Sequence, residues 1–292
     1  MMGSAGGATR RVAIGRLSVD RAGGQGLHRE RDAVATEEPM QIRLLPASER
    51  DARRATPVAV TMRTPGNDFE LAAGFLFGEG IVRLRDDLVA IRNCTDLDEA
   101  ERHNIVTAHL RAPAVPMGLH LERHFTMTSA CGVCGKAHLA ALEVRCPAPL
   151  SRGPELPAEV LLGLPASLRE AQTVFGRTGG LHAAGLFTAD GGLVALREDV
   201  GRHNALDKLI GWAFLEGRLP LVDQVVCVSG RASYELLQKA VVAGVPVVAA
   251  VSAPSSLAIE VAERFGATLI GFLRDQRFNV YSGAQRLVEY AP

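Results

Sequence analysis

The stretch Gln224–Arg277, QVVCVSGRASYELLQKAVVAGVPVVAAVSAPSSLAIEVAERFGATLIGFLRDQR, carries the most regular pattern in the chain. Three short apolar runs, Gln224–Ser229, Val245–Val251 and Thr268–Leu273, alternate with two amphipathic runs, Ser233–Ala243 and Ser255–Phe265. Strand-like runs separated by helices and punctuated by Gly, Ser and Pro indicate a βαβαβ unit, hence a parallel sheet with right-handed crossovers. In such a sheet ligands bind beyond the carboxyl ends of the strands. Here those ends read Ser229-Gly230-Arg231, Ser252-Ala253-Pro254-Ser255-Ser256 and Phe272-Leu273-Arg274-Asp275-Gln276-Arg277. Two of the turns feed helix N-termini, whose free N–H groups suit phosphate oxygens, and three arginines offer forked donors for the same oxygens. A nucleotide or pyrophosphate cleft accounts for these residues, and so does ordinary turn and capping chemistry. No Walker-type glycine loop and no G-x-G-x-x-G follows a strand, which argues against an ordinary ATPase or dinucleotide dehydrogenase.

Upstream, Arg197–Gly211 reads REDVGRHNALDKLIG. A helix starting near His203 places Ala205, Leu206, Leu209, Ile210 and Phe214 on one face and leaves Asp207 and Lys208 outside. Glu198, Asp199, Arg202, His203 and Asn204 crowd its N-terminal end, as a polar cap or as the wall of a site. His203 fits both a general base and a hydrogen-bonded core histidine. Before it, Leu193–Arg197 reads as a strand and Leu168–Phe175 as a helix, whereas the five prolines of Arg145–Pro165 make that segment a connector with at most one short helix. In Thr64–Gly80, Asn67 caps a helix with Glu70 three residues on and Gly78 and Gly80 end it. Strands at Met40–Leu45, Pro57–Met62, Val89–Asn93 and Asn104–Leu110 complete an N-terminal α+β domain over 36–120, ahead of an α/β domain over 121–292. Residues 1–35, rich in Gly, Ala and Arg without clear periodicity, read as a disordered extension.

Between the two halves lies TMTSACGVCGK, Thr126–Lys136. Gly132, Gly135 and Ser129 loosen the backbone while Lys136–Leu142 has helix-forming composition, which places Cys131 and Cys134 on a mobile loop opening a helix. There the helix dipole and Lys136 favour the thiolate, the nucleophilic form. One C-x-x-C serves dithiol exchange, half of a zinc site or a sulfur-bearing cysteine equally well.

The 292 residues, 47% hydrophobic, suffice for a large core, and 32 basic residues balance 32 acidic ones. No overall field draws nucleic acid or an anionic membrane, so an anion must be held by local arginines. Five cysteines without regular spacing suit a reducing cytoplasm rather than a disulfide framework. Cys227 sits in an apolar run as a core residue. No run approaches the ~18 apolar residues of a membrane span, and no secretory signal is evident at the N-terminus.

Taken together, EEPMQIRL, TMRTPGNDFELAAGFLFGEG, SACGVCGK, GGLHAAGLF, REDVGRHNALDKLIG, VSGRASYELLQKA, AAVSAPSSLAIEVAE and GFLRDQRFNVYSG resemble the FdhD family, the formate dehydrogenase accessory sulfurtransferases, over Glu37–Arg286. The resemblance implies a homodimer with a cytidine-deaminase-like three-layer core. It implies sulfur transfer from a cysteine desulfurase to the bis(molybdopterin guanine dinucleotide) form of the molybdenum cofactor, bound as substrate, in the service of formate dehydrogenase. Cys131 would carry the persulfide with Cys134 in support, and Phe272, Leu273, Arg274, Asp275, Gln276 and Arg277 would contact the cofactor, with no permanent metal. Rival functions are a zinc-dependent deaminase, a structural zinc site on Cys131, Cys134, His138 and His124, and a cofactor chaperone with incidental thiols. A deaminase needs an H-x-E that His182-Ala183-Ala184 does not supply, and the structural site lacks an evident fourth ligand.

Overall fold

The computed structural model describes residues 7–19, 25–94, 103–111, 149–150 and 153–288. Its strands are β1 (Thr9–Val19), β2 (Gln25–Ala35), β3 (Glu38–Pro46), β4 (Thr56–Arg63), β5 (Leu88–Asn93), β6 (Ile105–Leu110), β7 (His182–Phe187), β8 (Leu193–Asp199), β9 (Val225–Val228), β10 (Val247–Ala250), β11 (Thr268–Arg274) and β12 (Arg277–Ser282). The helices are α1 (Asp68–Gly78), α2 (Ala158–Ala171), α3 (Thr173–Thr178), α4 (Arg202–Leu215), α5 (Tyr234–Val242) and α6 (Ser256–Phe265). Among the described residues the architecture is mixed α/β with three sheets.

The six-stranded sheet has the order β12-β11-β10-β9-β7-β8. Its centre is the expected βαβαβ unit, with β9, β10 and β11 mutually parallel. Every residue of β9 and β10 is buried, because both faces of the sheet are covered. Alternate side chains divide accordingly. Val226, Val228, Val248 and Ala250 face α4, α5 and α6, while Val225, Cys227, Val247 and Ala249 face Leu161, Leu164 and Leu168 of α2. The result is a helix–sheet–helix sandwich. Burial pushes the Cys227 thiol up to about 12, so it stays protonated and serves packing.

Five elements depart from the sequence expectation. Residues 9–35 were expected to be disordered, yet β1 and β2 pair antiparallel from Thr9↔Ala35 through Leu17↔Leu27, and β2 packs on α3. The ladder joins eleven-residue strands carrying Val12, Ile14 and Val34, and an Arg16–Glu30 pair crosses it, features that the Gly- and Arg-rich composition masked. The proline-rich connector contains α2, with Pro165 inside it. The buried stripe Leu161, Leu164, Leu168 outweighs the missing hydrogen bond. Finally, β7, made of the small residues of HAAGLF, inserts antiparallel between β8 and β9, and β12 folds back on β11.

The N-terminal sheet has the order β4-β3-β6-β5 and is joined to the large sheet through α1 and α4. Its apolar residues belong to the same cluster as those of α4–α6, so one core runs through both sheets. At the crossing, Gly74 lies against the Asp207 carbonyl and Gly211 against the Glu70 carbonyl, closer than any side chain permits. The middle of helix α4, Asn204–Gly211, is thereby enclosed, and Asp207 and Lys208 are only 3% and 1% exposed, not outside as its apolar face had suggested. Gly211→Ala is expected to destabilise the protein by about 3 kcal/mol or more in urea denaturation, since a methyl there must push two helix backbones apart. Gly163→Ala on α2, whose Cβ would meet nothing, is the control and should leave the midpoint unchanged or raised.

Candidate functional site

The carboxyl ends of β9, β10 and β11 form one edge. The loops after β9 and β10 are zipped together, with Ala232 N–H donating to Ala253 O at 3.2 Å and Ser255 N–H to Ala232 O at 2.9 Å. Ser255 Oγ accepts from Ala258 N at 3.3 Å, so for this serine capping chemistry applies. Beyond β11 the chain makes a tight hairpin, Arg274 opposite Arg277, with Asp275 and Gln276 at the tip. Leu273 is buried in the core, Phe272 is half-buried, and Arg274, Asp275, Gln276 and Arg277 are exposed. Phe272 and Asp275 adopt φ of 52° and 54°, and the Phe272 N–H donates to Ser252 O at 3.2 Å. A left-handed aromatic residue is an outlier whose cost of about 1–3 kcal/mol must be offset by its surroundings, and such strain concentrates at functional sites. Cys131 and Cys134, like His124 and His138, lie outside the described residues.

The polar crowd before α4 is chiefly structural. Asp199 is fully buried and pairs with Lys208 Nζ at 2.7 Å; it also accepts from Thr64 N at 3.1 Å and Asn204 Nδ2 at 3.0 Å. Lys208 donates to Thr64 O at 2.8 Å, and Asn204 donates to Met62 O at 2.8 Å. These bonds clamp the end of β4 to the end of β8. Glu198 accepts from Val174 N at 3.0 Å and Phe175 N at 2.7 Å, capping α3. Deeper in, Asp207 pairs with Lys239 at 2.7 Å. Burial pushes the Asp207 carboxyl up against the pull of Lys239. On Lys239 burial pulls down, but Asp207, Glu79 and Glu235 together hold its pKa above the ordinary value. Lys208→Met leaves Asp199 buried without its cation and is expected to cost about 3–5 kcal/mol in urea denaturation.

His203, partly exposed, contributes to a surface polar cluster. Its Nε2 lies 3.0 Å from Ser233 Oγ and 3.3 Å from Glu235 Oε2, and Ser233 Oγ donates to Glu235 at 3.0 Å. The hydrogen bond from His203, opposed by burial, lowers the Glu235 carboxyl from 4.5 to about 2. A carboxylate depressed in the folded state stabilises fully above its unfolded pKa and loses that contribution as pH falls through the folded one. Glu235→Gln should therefore be less stable than the unmodified protein at pH 7, by no more than about 1 kcal/mol because the side chain is half-exposed. The gap should narrow as pH falls from 4.5 toward 2, followed by thermal melting at stepped pH; an unchanging gap would remove titration of Glu235 as its source.

Around the same edge, on the α2 side of the sheet, lies a cavity of about 500 Å³. Pro165, Leu168, Phe175, Leu181, Val200 and Val251 give it apolar walls, and Gln172, His182, Ser229 and Arg169 supply polar groups. Gln172 stands between α2 and α3 with ψ of 83°, the residue at which the two helices part. It is 5% exposed, and its Nε2 has no hydrogen-bond partner among the described residues. Burial above all, then Arg202 and His203, holds His182 below the ordinary histidine value, so it is neutral at pH 7. Sequence reasoning noticed His182 only as an incomplete deaminase motif and missed Gln172, which no spacing or motif singles out.

The FdhD/NarQ family model matches residues 36–288. The chain is 51% identical over 263 residues to the sulfur carrier protein FdhD of Nocardia farcinica, covering 89% of each chain. To the protein of the same name from Mycobacterium tuberculosis it is 49% identical, over 88% of this chain and 92% of that one. An archaeal namesake, from Saccharolobus solfataricus, is 38% identical, over 94% and 99% of the two chains. In fold, a crystal structure from Desulfotalea psychrophila, described as a formate dehydrogenase accessory protein, superposes with a TM-score of 0.69 at 23% identity, covering 95% of this chain and 99% of that one.

Proposed function

Because the chain belongs to the FdhD/NarQ family, we propose that it is a sulfurtransferase that takes sulfur from a cysteine desulfurase and passes it to the guanine-dinucleotide form of the molybdenum cofactor, for formate dehydrogenase. What carries this reading is the near full-length match, at about half identity, to relatives named sulfur carrier proteins. The C-x-x-C of Cys131 and Cys134 supports it, since a carrier needs an activated thiol.

In the first step the Cys131 thiolate attacks the outer sulfur of the donor's persulfide. The donor S–S bond breaks, its cysteine leaves as a thiolate, and a persulfide forms on Cys131 with no net redox change. In the second, the Cys134 thiolate attacks the inner sulfur of that persulfide. Sulfide leaves toward the metal centre, the two cysteine sulfurs supply both electrons as they are oxidised to a disulfide, and a cellular thiol reductant resets the pair. The cofactor is the substrate. Its pyrophosphates suit Arg274 and Arg277, which stand free of acidic partners among the ion pairs of the described residues, and the edge beyond β9–β11 is where a parallel sheet receives ligands. Holding the cargo there would bring donor and acceptor together at high effective concentration. The cytidine-deaminase-like layering, the homodimer and a cytoplasmic location belong to the same proposal. Helices on both faces of the six-stranded sheet agree with the layering, and among the described residues no helix is long and apolar enough to cross a membrane.

Incubated with a cysteine desulfurase and cysteine, the protein is expected to gain one sulfur on Cys131 by mass spectrometry, and Cys131→Ala to abolish both that gain and support of formate dehydrogenase in cells. Full activity of Cys131→Ala would overturn the proposal, and a thiol left unmodified in the unaltered protein would reduce the function to carriage of the cofactor. Arg274→Ala with Arg277→Ala should weaken binding of guanosine diphosphate about tenfold or more, read by calorimetry.

A further inference from the structure

The cavity under α2 and α3 differs in chemistry from the arginine-bearing tip. Among the described residues its one cationic lining residue, Arg169, is exposed, with its guanidinium 3.9 Å over the ring of Phe175. The two N–H groups at the start of α3 that might hold an anion, those of Val174 and Phe175, already bind the Glu198 carboxylate. Among the described lining residues a phosphate would meet that carboxylate with only the exposed Arg169 to offset it; Arg202, near enough to depress His182, does not line the cavity. What the cavity does offer is a buried amide donor on Gln172 that is unspent among the described residues, a neutral imidazole on His182, and the hydroxyl of Ser229, whose oxygen accepts from Ala183 N at 2.9 Å. All three stand among apolar walls. An amide donor buried without a partner costs roughly 1–3 kcal/mol, a cost that a ligand carbonyl would remove.

We infer that this cavity seats a planar, uncharged heterocycle that presents a ring carbonyl to the Gln172 carboxamide. The inference rests on the sulfur-carrier reading for the identity of the ring: guanine and pterin share one 2-amino-4-oxopyrimidine edge, and the cargo carries both. The geometry suits a divided ligand. Val251, on the cavity wall, is followed by Ser252, whose carbonyl accepts from Phe272 N–H at 3.2 Å. The cavity and the Arg274–Arg277 tip therefore belong to adjacent strands, about 5 Å apart across the sheet. Rings would be read on the apolar side and phosphates at the exposed tip. Gln172 is in this view a specificity-determining residue.

The test uses the full chain and two probes, guanosine monophosphate and a free pterin, each titrated by calorimetry into the unaltered protein, Gln172→Leu and Gln172→Glu. Both variants are expected to bind at least one probe about tenfold more weakly, and the probe affected identifies the ring. Thermal melting of unliganded Gln172→Leu should be unchanged or raised, because an unpaired buried amide is being removed; a merely structural glutamine would lower it. Equal affinities in Gln172→Leu and the unaltered protein, or no binding of either probe to the unaltered protein, would overturn the inference. Sulfur gain on Cys131, measured on the same preparations, separates the two proposals: its absence beside Gln172-dependent binding sinks the carrier function and leaves the cavity standing, and the reverse result sinks only the cavity.

Discussion

Gly74 on α1 and Gly211 on α4 let two helices meet backbone to backbone, and this contact sets where the polar residues of the site region go. With α1 on one side and the six-stranded sheet on the other, the middle of α4, Asn204–Gly211, has no solvent face to spare. Its charged residues must then be paired inside the protein, since an unpaired buried charge costs several kcal/mol. Asp207 finds Lys239 on α5, and Lys208 finds Asp199 at the end of β8. The second pair gathers Thr64 and Asn204, so the close helix crossing and the polar clamp joining the two sheets are one device.

That device explains what the sequence shows and what it hides. The βαβαβ unit was legible because its strands are short, apolar runs bounded by Gly, Ser or Pro, and the intervening helices carry a clear apolar stripe. Helix α4 was legible as a helix and illegible in its surroundings: Asp207 and Lys208 look like solvent-facing residues until the second helix is in place. The same ambiguity attached to Glu198, Asp199 and Asn204, which local pattern cannot sort into clamp or catalyst because their partners, Thr64, Met62 and Val174, come from distant sequence. β7 was missed because Ala183, Ala184 and Gly185 carry no β-propensity signal; their smallness suits a central strand packed tightly between neighbours. The hairpin of β1 and β2 was missed because composition was weighed above strand pairing, and a ladder is a pairwise property.

Polar groups near the edge fall into two kinds by their bonding. Asp199, Asn204, Lys208 and Glu198 have their hydrogen bonds satisfied by backbone and side chains of the fold. Gln172 Nε2 and Arg202 Nε do not, among the described residues. Satisfied groups rigidify, while a buried donor left open is a standing cost that a folded chain rarely carries without a use. Both open donors lie beside His182 or its cavity: Gln172 lines it, and Arg202 is near enough to depress the imidazole. The strained Phe272 backbone stands at the next strand end. Unspent donors and stored strain thus collect along one edge of one sheet.

A balanced net charge sharpens the significance of where Arg274 and Arg277 stand. With no global field to draw an anionic cargo, attraction must be local, and a two-residue hairpin tip projects both guanidinium groups into water, where their approach to a ligand is unhindered. Exposed arginines hold phosphate only modestly, because solvent screens them. The proposed carrier, which must release its cargo, would gain from that weakness. Selectivity would then come from a drier place, where a single unmatched hydrogen bond discriminates between rings, and the largely apolar cavity one strand away is the proposed place. Weak charge contacts outside and an unforgiving amide within would let the same edge admit one ligand, reject its neighbours and still let go.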